Sequence, residues 1–428
     1  MNYKRLGDYI IEKVEFNEGN KYDLLQGVSN NKYFQKAKTN TIGVDLSKYR
    51  VAHHNQFVFN RATTRNGDKI SIALRKGESC IVSPSYRIFE VKDENVLNPD
   101  YLLMWFKRPE FDRYARFKSH GSAHEFFDMD EMNDVELPVP SIEKQREIVA
   151  QYQAVANKIK VNEQICEKLE ATAQTLYKQW FVDFEFPITK ESHPELVSGS
   201  HPPTYKYSGG AMVYNEELEK EIPEGWEVKK IQDLIDENYI YKNQDGNHGE
   251  IHPKSSDFKL TGVPFLMVNN VKNYCADLVN CNFISEKQAS KLRIGFAKNN
   301  DVLITHKATI GKTVMLYTQY EKVVLTPQIT YYRVKDNNKI RPSFIYCLFK
   351  SSVFQNQFSA HAEQSTRSYL SILNQRVLEL LLPNSKVIIE FDEKVNILLK
   401  DIYLYTEINQ KLTQLQSLLL SRLATLEG

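Results

Sequence analysis

The chain contains one pattern twice. Apolar residues recur at alternating spacings of four and three through Ile148, Tyr152, Val155, Ile159, Asn162, Cys166, Leu169, Ala173, Leu176 and Trp180. That is the a/d seam of a coiled-coil helix with one polar layer at Asn162. Moving along by 243 residues, the distance from Pro140 to Pro383, a second seam follows: Phe391, Val395, Leu398, Ile402, Tyr405, Asn409, Leu412, Gln416, Leu419 and Leu423. The same ungapped offset carries Pro84 onto Pro327, Val91-Lys92-Asp93 onto Val334-Lys335-Asp336, Pro99 onto Pro342 and Phe106-Lys107 onto Phe349-Lys350. It also carries Phe111 onto Phe354, Ser122 onto Ser365, and Glu136-Leu137 onto Glu379-Leu380. A globular segment and the long helix after it are therefore present as two divergent copies, and a repeat of this kind governs the fold.

A helix from Ser141 to about Phe181 is about 60 Å long at 1.5 Å per residue, and it cannot bury its seam alone. Pairing between the two helices is one solution, with Asn162, Asn409 and Gln416 as polar layers that set register. An amphipathic helix lying on a globular core is the other. Ser141 and Asn384 stand at corresponding positions as N-caps, and Glu143 and Glu147 lie near the positive end of the first helix.

Five segments are expected: a first head over 1–138, a helix over 139–186, a linker over 187–225, a second head over 226–382 and a second helix over 383–428. Each head mixes strand-like runs with a short buried helix: Gln56–Phe59, Ile70–Leu74, Ser79–Ser83 and helical Tyr101–Phe106 in the first. The second has Val263–Val268, Asp301–Thr305, Thr313–Tyr317 and helical Phe344–Phe349. The stretch 187–225 is rich in Pro, Gly and Ser, including Pro202, Pro203, Gly209 and Gly210, and reads as a linker whose role is reach. Such a linker lets the chain turn back so that the helices pair antiparallel with the heads at opposite ends; parallel pairing sets the heads side by side.

Among 428 residues, 55 Lys and Arg oppose 54 Asp and Glu, a net charge of +1, so nucleic-acid binding has to come from local patches rather than a global field. Five scattered cysteines, with Cys275 and Cys281 too far apart for a zinc knuckle, point to reduced thiols. With neither a leader-like apolar segment at the start nor a membrane-length apolar run, a cytoplasmic location is expected.

Walker-type, dinucleotide-binding, zinc-protease and serine-hydrolase motifs are all missing, as is the Asn/Asp-Pro-Pro-Tyr/Phe loop of an amino-methyltransferase. The expectation is a chain that is not an enzyme and holds neither metal nor cofactor. Basic and amide-rich loops are present at matching places in both heads. Between Arg61 and Arg87 six basic residues face two acidic ones, and Thr63, Thr64, Arg65 and Asn66 add groups able to bond phosphates and base edges. The candidate DNA contacts are Arg61, Thr63, Thr64, Arg65, Asn66, Lys69, Arg87, Ser122 and His124 in the first head. In the second they are His306, Lys307, Thr309, Lys312, Ser365, Thr366 and Arg367, with Gly311 as the residue that permits a tight turn.

The run Leu137-Pro-Val-Pro-Ser-Ile-Glu-Lys-Gln-Arg-Glu-Ile-Val149, followed by Asn162-Glu-Gln-Ile-Cys-Glu-Lys-Leu169 and Gln179-Trp-Phe-Val-Asp-Phe184, closely resembles the central region of type I restriction-modification specificity subunits. Ile222-Pro-Glu-Gly-Trp-Glu-Val228 is similar to the start of their second target-recognition domain, and Lys307-Ala-Thr-Ile-Gly-Lys312 to a motif inside it. The resemblance covers the whole chain, with departures: the first head lacks its own Pro-Glu-Gly-Trp, and the second copy has Val387-Ile-Ile-Glu390 instead of Glu-Lys-Gln-Arg. It implies an α+β fold with two similar α/β target-recognition domains, each followed by a long helix, and the helices paired as an antiparallel coiled coil with pseudo-two-fold symmetry. It also implies a non-catalytic subunit that recognises a split, asymmetric target in double-stranded DNA. Its partners would be two methyltransferase subunits and two restriction/translocase subunits, which carry S-adenosylmethionine, ATP and Mg2+. A coiled-coil scaffold that binds protein instead of DNA is the alternative.

Overall fold

The computed structural model describes residues 3–37, 43–62, 69–120, 125–188, 203–362 and 369–425. It comprises two compact units, Met1–Lys160 with Lys411–Gly428, and Val161–Gln410.

In the first unit, the β-branched and aromatic run Phe57–Asn60 forms a strand between Tyr86–Val91 and Ile72–Leu74, and Ile10–Lys13 pairs with the far edge of Tyr86–Val91, all antiparallel. Side chains alternate across this sheet. Phe57 and Phe89 stack with centroids 5.0 Å apart, and Phe106 of helix Pro99–Phe106 meets both rings edge-on. Val58 and Ile88 face the other way, into a smaller core with Val28, Ala52, Cys80 and Val82. The helix begins where the Asn98 side chain accepts the N–H groups of Asp100 and Tyr101 and Pro99 fills the first position, whose N–H would be unbonded anyway. Strand Tyr3–Arg5 pairs with Glu136–Pro138 immediately before the long helix.

The second unit repeats this plan. Strand Val302–Lys307 lies between Thr309–Met315 and Ile329–Tyr332, and Ile240 bridges Val334 much as Ile10 pairs with Val91. Phe296–Ala297 pairs with Val323–Leu325 as Arg50–Ala52 does with Cys80–Val82, and Phe265 lies parallel to Val324 as Leu25 does to Ile81. The offset of 243 carries the first residues of Tyr86–Val91, Pro99–Phe106, Pro109–Lys118, Met129–Asn133, Glu136–Pro138 and Ile142–Phe181 onto those of Ile329–Tyr332, Pro342–Lys350, Ser352–Ala360, Ile372–Arg376, Glu379–Leu382 and Ser385–Arg422. The expected duplication is thus a duplication of structure, element by element. The copies differ in their connections: strands Gln26–Val28 and Phe34–Lys36 are joined by the short turn 29–33, whereas Val263–Leu266 and Asn282–Ile284 are joined by the longer segment 267–281.

The long helices span 40 and 38 residues. Within the second unit they run antiparallel: the Asn162 amide donates to Asn409 Oδ1 at 2.8 Å, and Trp180 packs on Phe391 with ring centroids 5.6 Å apart. The residue numbers of both pairs add to the same total, as one antiparallel register requires. Within the first unit, Leu420 and Leu423 join the core that holds Ile148, Val149 and Tyr152. The two readings of the seam each hold over part of its length. From Ala173 to Phe181, and from Ile388 to Ile402, the helices present a wide apolar face to the second unit's core, where Tyr177 and Phe181 meet Phe344 and Phe391.

Two expectations need correcting. The stretch 187–225 is folded where it is described: Met212–Asn215 pairs with Lys220–Pro223 as a hairpin. Tyr205 stacks on Phe186 at 4.6 Å, and Phe186 on Trp226 at 5.4 Å. Gly210 serves packing, since a Cβ there would sit 2.5 Å from the Tyr205 ring. Only 189–202 lies outside the described residues. The second correction concerns the hairpin 302–315, whose tight turn is at Ala308, with φ of 68°. Gly311 lies in the returning strand with φ of 84°, and a Cβ there would come within 2.2 Å of Gln355 Oε1.

Candidate nucleic-acid interface

Each copy places a cation over an aromatic ring at the end of its central strand. In the first, the Arg61 carbonyl accepts the Phe127 N–H at 2.8 Å and Ala62 bridges Phe126, which brings the Arg61 guanidinium 4.8 Å from the centre of the Phe126 ring. In the second, the His306 carbonyl accepts the Leu370 N–H at 3.0 Å and Lys307 bridges Tyr369, with its ammonium 5.4 Å from that ring's centre. Attraction between a cation and a ring face helps hold each charge at the strand end. Phe126 and Tyr369 were not among the expected contact residues, yet they are themselves 243 apart.

The charge around the two pairs differs. Asp128 accepts two bonds from Arg87, at 2.6 and 3.0 Å, and one from Arg61 at 3.2 Å, and its side chain caps helix Met129–Asn133. Burial pushes the Asp128 carboxyl up, but the bonds from Arg87, the Met129 N–H and Arg61 outweigh it and hold the group below the usual carboxylate range. The same bonds raise Arg87 above its ordinary value. The offset places Thr330 where the first copy has Arg87 and Ser371 where it has Asp128. Ser371 caps its helix by accepting the Asn374 N–H at 3.1 Å, and among the described residues no carboxylate is bonded to Lys307.

The remaining expected residues fall into three groups. Lys69, Thr309 and Lys312 are exposed, Lys69 lining an open hollow with Arg113 and Arg116. His306 is 0% exposed: its Nδ1 lies 2.9 Å from the Leu370 carbonyl oxygen, and burial holds the imidazole below its ordinary value. That corrects its expected place on the surface, because the central strand Val302–Lys307 is buried on both faces as far as His306. Thr63, Thr64, Arg65, Asn66, Ser122, His124, Ser365, Thr366 and Arg367 lie outside the described residues. Among the described residues no group of three or more His, Cys, Asp or Glu is placed to hold a metal ion, and no helix is long and apolar enough to cross a membrane.

Comparison with known proteins bears on what such a duplicated arrangement is for. A family model described as the type I restriction modification DNA specificity domain matches residues 3–171. The specificity subunit of the type I restriction enzyme MjaIX from Methanocaldococcus jannaschii is 26% identical over 310 residues, covering 71% of this chain, which in turn spans 63% of that protein's length. The specificity subunit of the HindI enzyme from Haemophilus influenzae is 22% identical over 390 residues, 81% of each chain. In fold, the chain is similar to the S subunit of a type I restriction-modification system from M. genitalium, with a TM-score of 0.54, 12% identity and coverage of 100% of this chain and 96% of that one.

Proposed function

We propose that this chain, a member of the type I restriction-modification specificity family, selects the DNA sequence on which partner subunits act and performs no chemistry itself. The observation that carries the reading is the duplication of one α+β module with a cation over an aromatic ring at the same strand end in each copy. A module used twice suits a target read in two parts. Divergence between the copies suits two parts of different sequence.

In this reading, each module contacts one half-site of double-stranded DNA, with phosphate contacts setting position and loop side chains reading base edges. The long helices set the length of the unread gap; about 60 Å of helix exceeds one DNA turn of about 34 Å. The partners are two methyltransferase subunits, which supply S-adenosylmethionine and flip the target adenine, and two restriction/translocase subunits, which supply ATP and Mg2+ chemistry.

Co-expression with the methyltransferase subunit in a host without adenine methylation, followed by modification-sensitive long-read sequencing, tests this. The expected result is methylation at a single bipartite asymmetric motif. A verified complex with unmethylated host DNA overturns the proposal.

A further inference from the structure

The segment 267–281, which replaces the short turn of the first copy, builds one wall of a pocket of about 370 Å³ lined by Glu170, Lys272, Tyr274, Lys312, Lys350 and Gln355, among others. Its lysines come from three elements. Lys272 sits in the turn closed by the Val271–Ala276 bridge, Lys312 on the returning strand of the hairpin whose tip carries Lys307, and Lys350 at the end of helix Pro342–Lys350. Glu170 of the long helix is the one carboxylate in the lining, and its charge is already taken. It accepts the Tyr346 hydroxyl at 2.5 Å and pairs with Lys350 at 3.1 Å, both side chains largely buried at 12% and 20% exposure. Lys272 spends one N–H on the Asn269 carbonyl at 2.7 Å, and among the described residues neither Lys272 nor Lys312 has a bonded carboxylate. Gly311 is what lets the wall close. Gln355 lies against its bare α-carbon and donates to its carbonyl at 3.0 Å, where any side chain would collide.

We infer that this pocket binds one backbone phosphate of the DNA, held between the ammonium groups of Lys272 and Lys312, and so anchors the second module on its half-site without reading sequence. The inference deepens the reading proposed above and rests on it. Two uncompensated ammonium groups on one cavity favour a dianionic or monoanionic oxygen ligand over any cation. The pocket shares a strand with the exposed hairpin tip Lys307–Thr309, so a duplex touching that tip has a phosphodiester within reach. In the first copy the turn 29–33 carries Lys32, but that ammonium is buried and already paired with Asp112 at 2.5 Å, so it has no charge to spare for an anion. Anchoring is therefore unequal between the half-sites.

The experiment compares the full chain with its K272Q/K312Q variant, each in complex with the methyltransferase subunits, by measuring DNA affinity across a salt series. Each phosphate neutralised contributes about 0.9 to the slope of log affinity against log salt. The variant is expected to flatten the slope by about 0.9 while leaving the ratio of cognate to altered half-site affinity unchanged. K272R/K312R, which keeps both charges, is expected to restore the slope and excludes misfolding as the cause. A variant with the parental slope, or one whose preferred sequence changes, overturns the pocket assignment while leaving the specificity function standing. A parental complex without salt-dependent DNA binding overturns both. Replacing chloride by inorganic phosphate at constant ionic strength separates the two sources of the ligand. Competition by phosphate that disappears in the variant is expected for a DNA anchor, whereas phosphate that binds the parental chain and not the variant, yet leaves DNA affinity unchanged, would assign the pocket to a free anion and overturn the anchor.

Discussion

The two copies share a backbone plan and differ in how each settles its buried polar groups and its charge. At the start of the first long helix, Gln145 is 0% exposed: its amide donates to the carbonyls of Val96 and Pro140, both at 2.8 Å, and its oxygen accepts the Asn98 N–H at 2.8 Å. The offset places Ile388, also 0% exposed, at the corresponding site of the second helix. The first copy thus ties its helix to the preceding domain through hydrogen bonds, the second through apolar packing. A similar contrast holds at the strand end, where Asp128 gathers Arg61 and Arg87 while Ser371 caps and, among the described residues, no carboxylate is bonded to Lys307. Duplication keeps the geometry of a fold, and each copy can then satisfy it by a different chemistry.

Exchange of the helix-start residues is the severest test of that contrast. Gln145→Ile strands one buried donor and two buried acceptors, and at about 1–3 kcal/mol for each group left unpaired is expected to cost roughly 3–5 kcal/mol by chemical denaturation of the full chain. Ile388→Gln buries an amide without prepared partners and is expected to destabilise comparably. If either exchange were neutral, the two helix starts would be interchangeable and the contrast lost.

Next in size is the carboxylate hub. Asp128→Ala removes a cap and the bidentate partner of the half-buried Arg87, with an expected loss of about 2 kcal/mol. Ser371→Ala removes a cap alone, worth about 1 kcal/mol. The pH dependence follows from the same residue. The folded-state value of Asp128 lies below the unfolded one, so its contribution is complete above the ordinary carboxylate range near pH 4 and is lost as pH falls through the folded value. Acid titration of the Asp128→Ala chain is expected to lack that component of the destabilisation, whereas Ser371→Ala retains it.

At the level of recognition, Lys307→Ala is expected to weaken affinity about tenfold, roughly 1.4 kcal/mol, through the second half-site only. Arg61→Ala should have a smaller effect through the first, since Asp128 already holds that guanidinium. Equal losses at both half-sites in DNA-binding assays would contradict one reader per copy. Smallest is the polar layer between the helices. A double-mutant cycle on Asn162→Leu and Asn409→Leu is expected to show a coupling of about 1 kcal/mol, with the double variant more stable than either single one.

The duplication was legible because it rests on period: a 4-3 seam and an ungapped offset survive even where residue identities do not, whereas the period left parallel and antiparallel pairing open and only the family resemblance implied the antiparallel sense. Asn162 and Asn409 could be named as polar layers before any partner was known. Gln145 was not legible as a core residue, because a polar residue in the first turn of a helix reads as surface until the three backbone groups it serves are placed around it. The linker was overextended for a related reason. Gly209 and Gly210 punctuate both loose chain and tight ring packing, and composition does not separate the two. The contact residues were least legible. His306 belongs to a basic stretch but lies on a central strand buried on both faces, whereas the ring platforms Phe126 and Tyr369 carry no charge to attract notice.

The Asn162–Asn409 pair also bears on how such a chain can have come from a duplicated ancestor. Two first copies, paired helix to helix in the present register, would set Asn162 against Cys166, and two second copies would set Asn409 against Tyr405. One homodimer sets the amide against a thiol, a weak partner, and the other against a bulky phenol, and only the mixed pair joins amide to amide. One hydrogen bond between the helices therefore favours the mixed pair, in which each half meets its diverged twin rather than its own likeness.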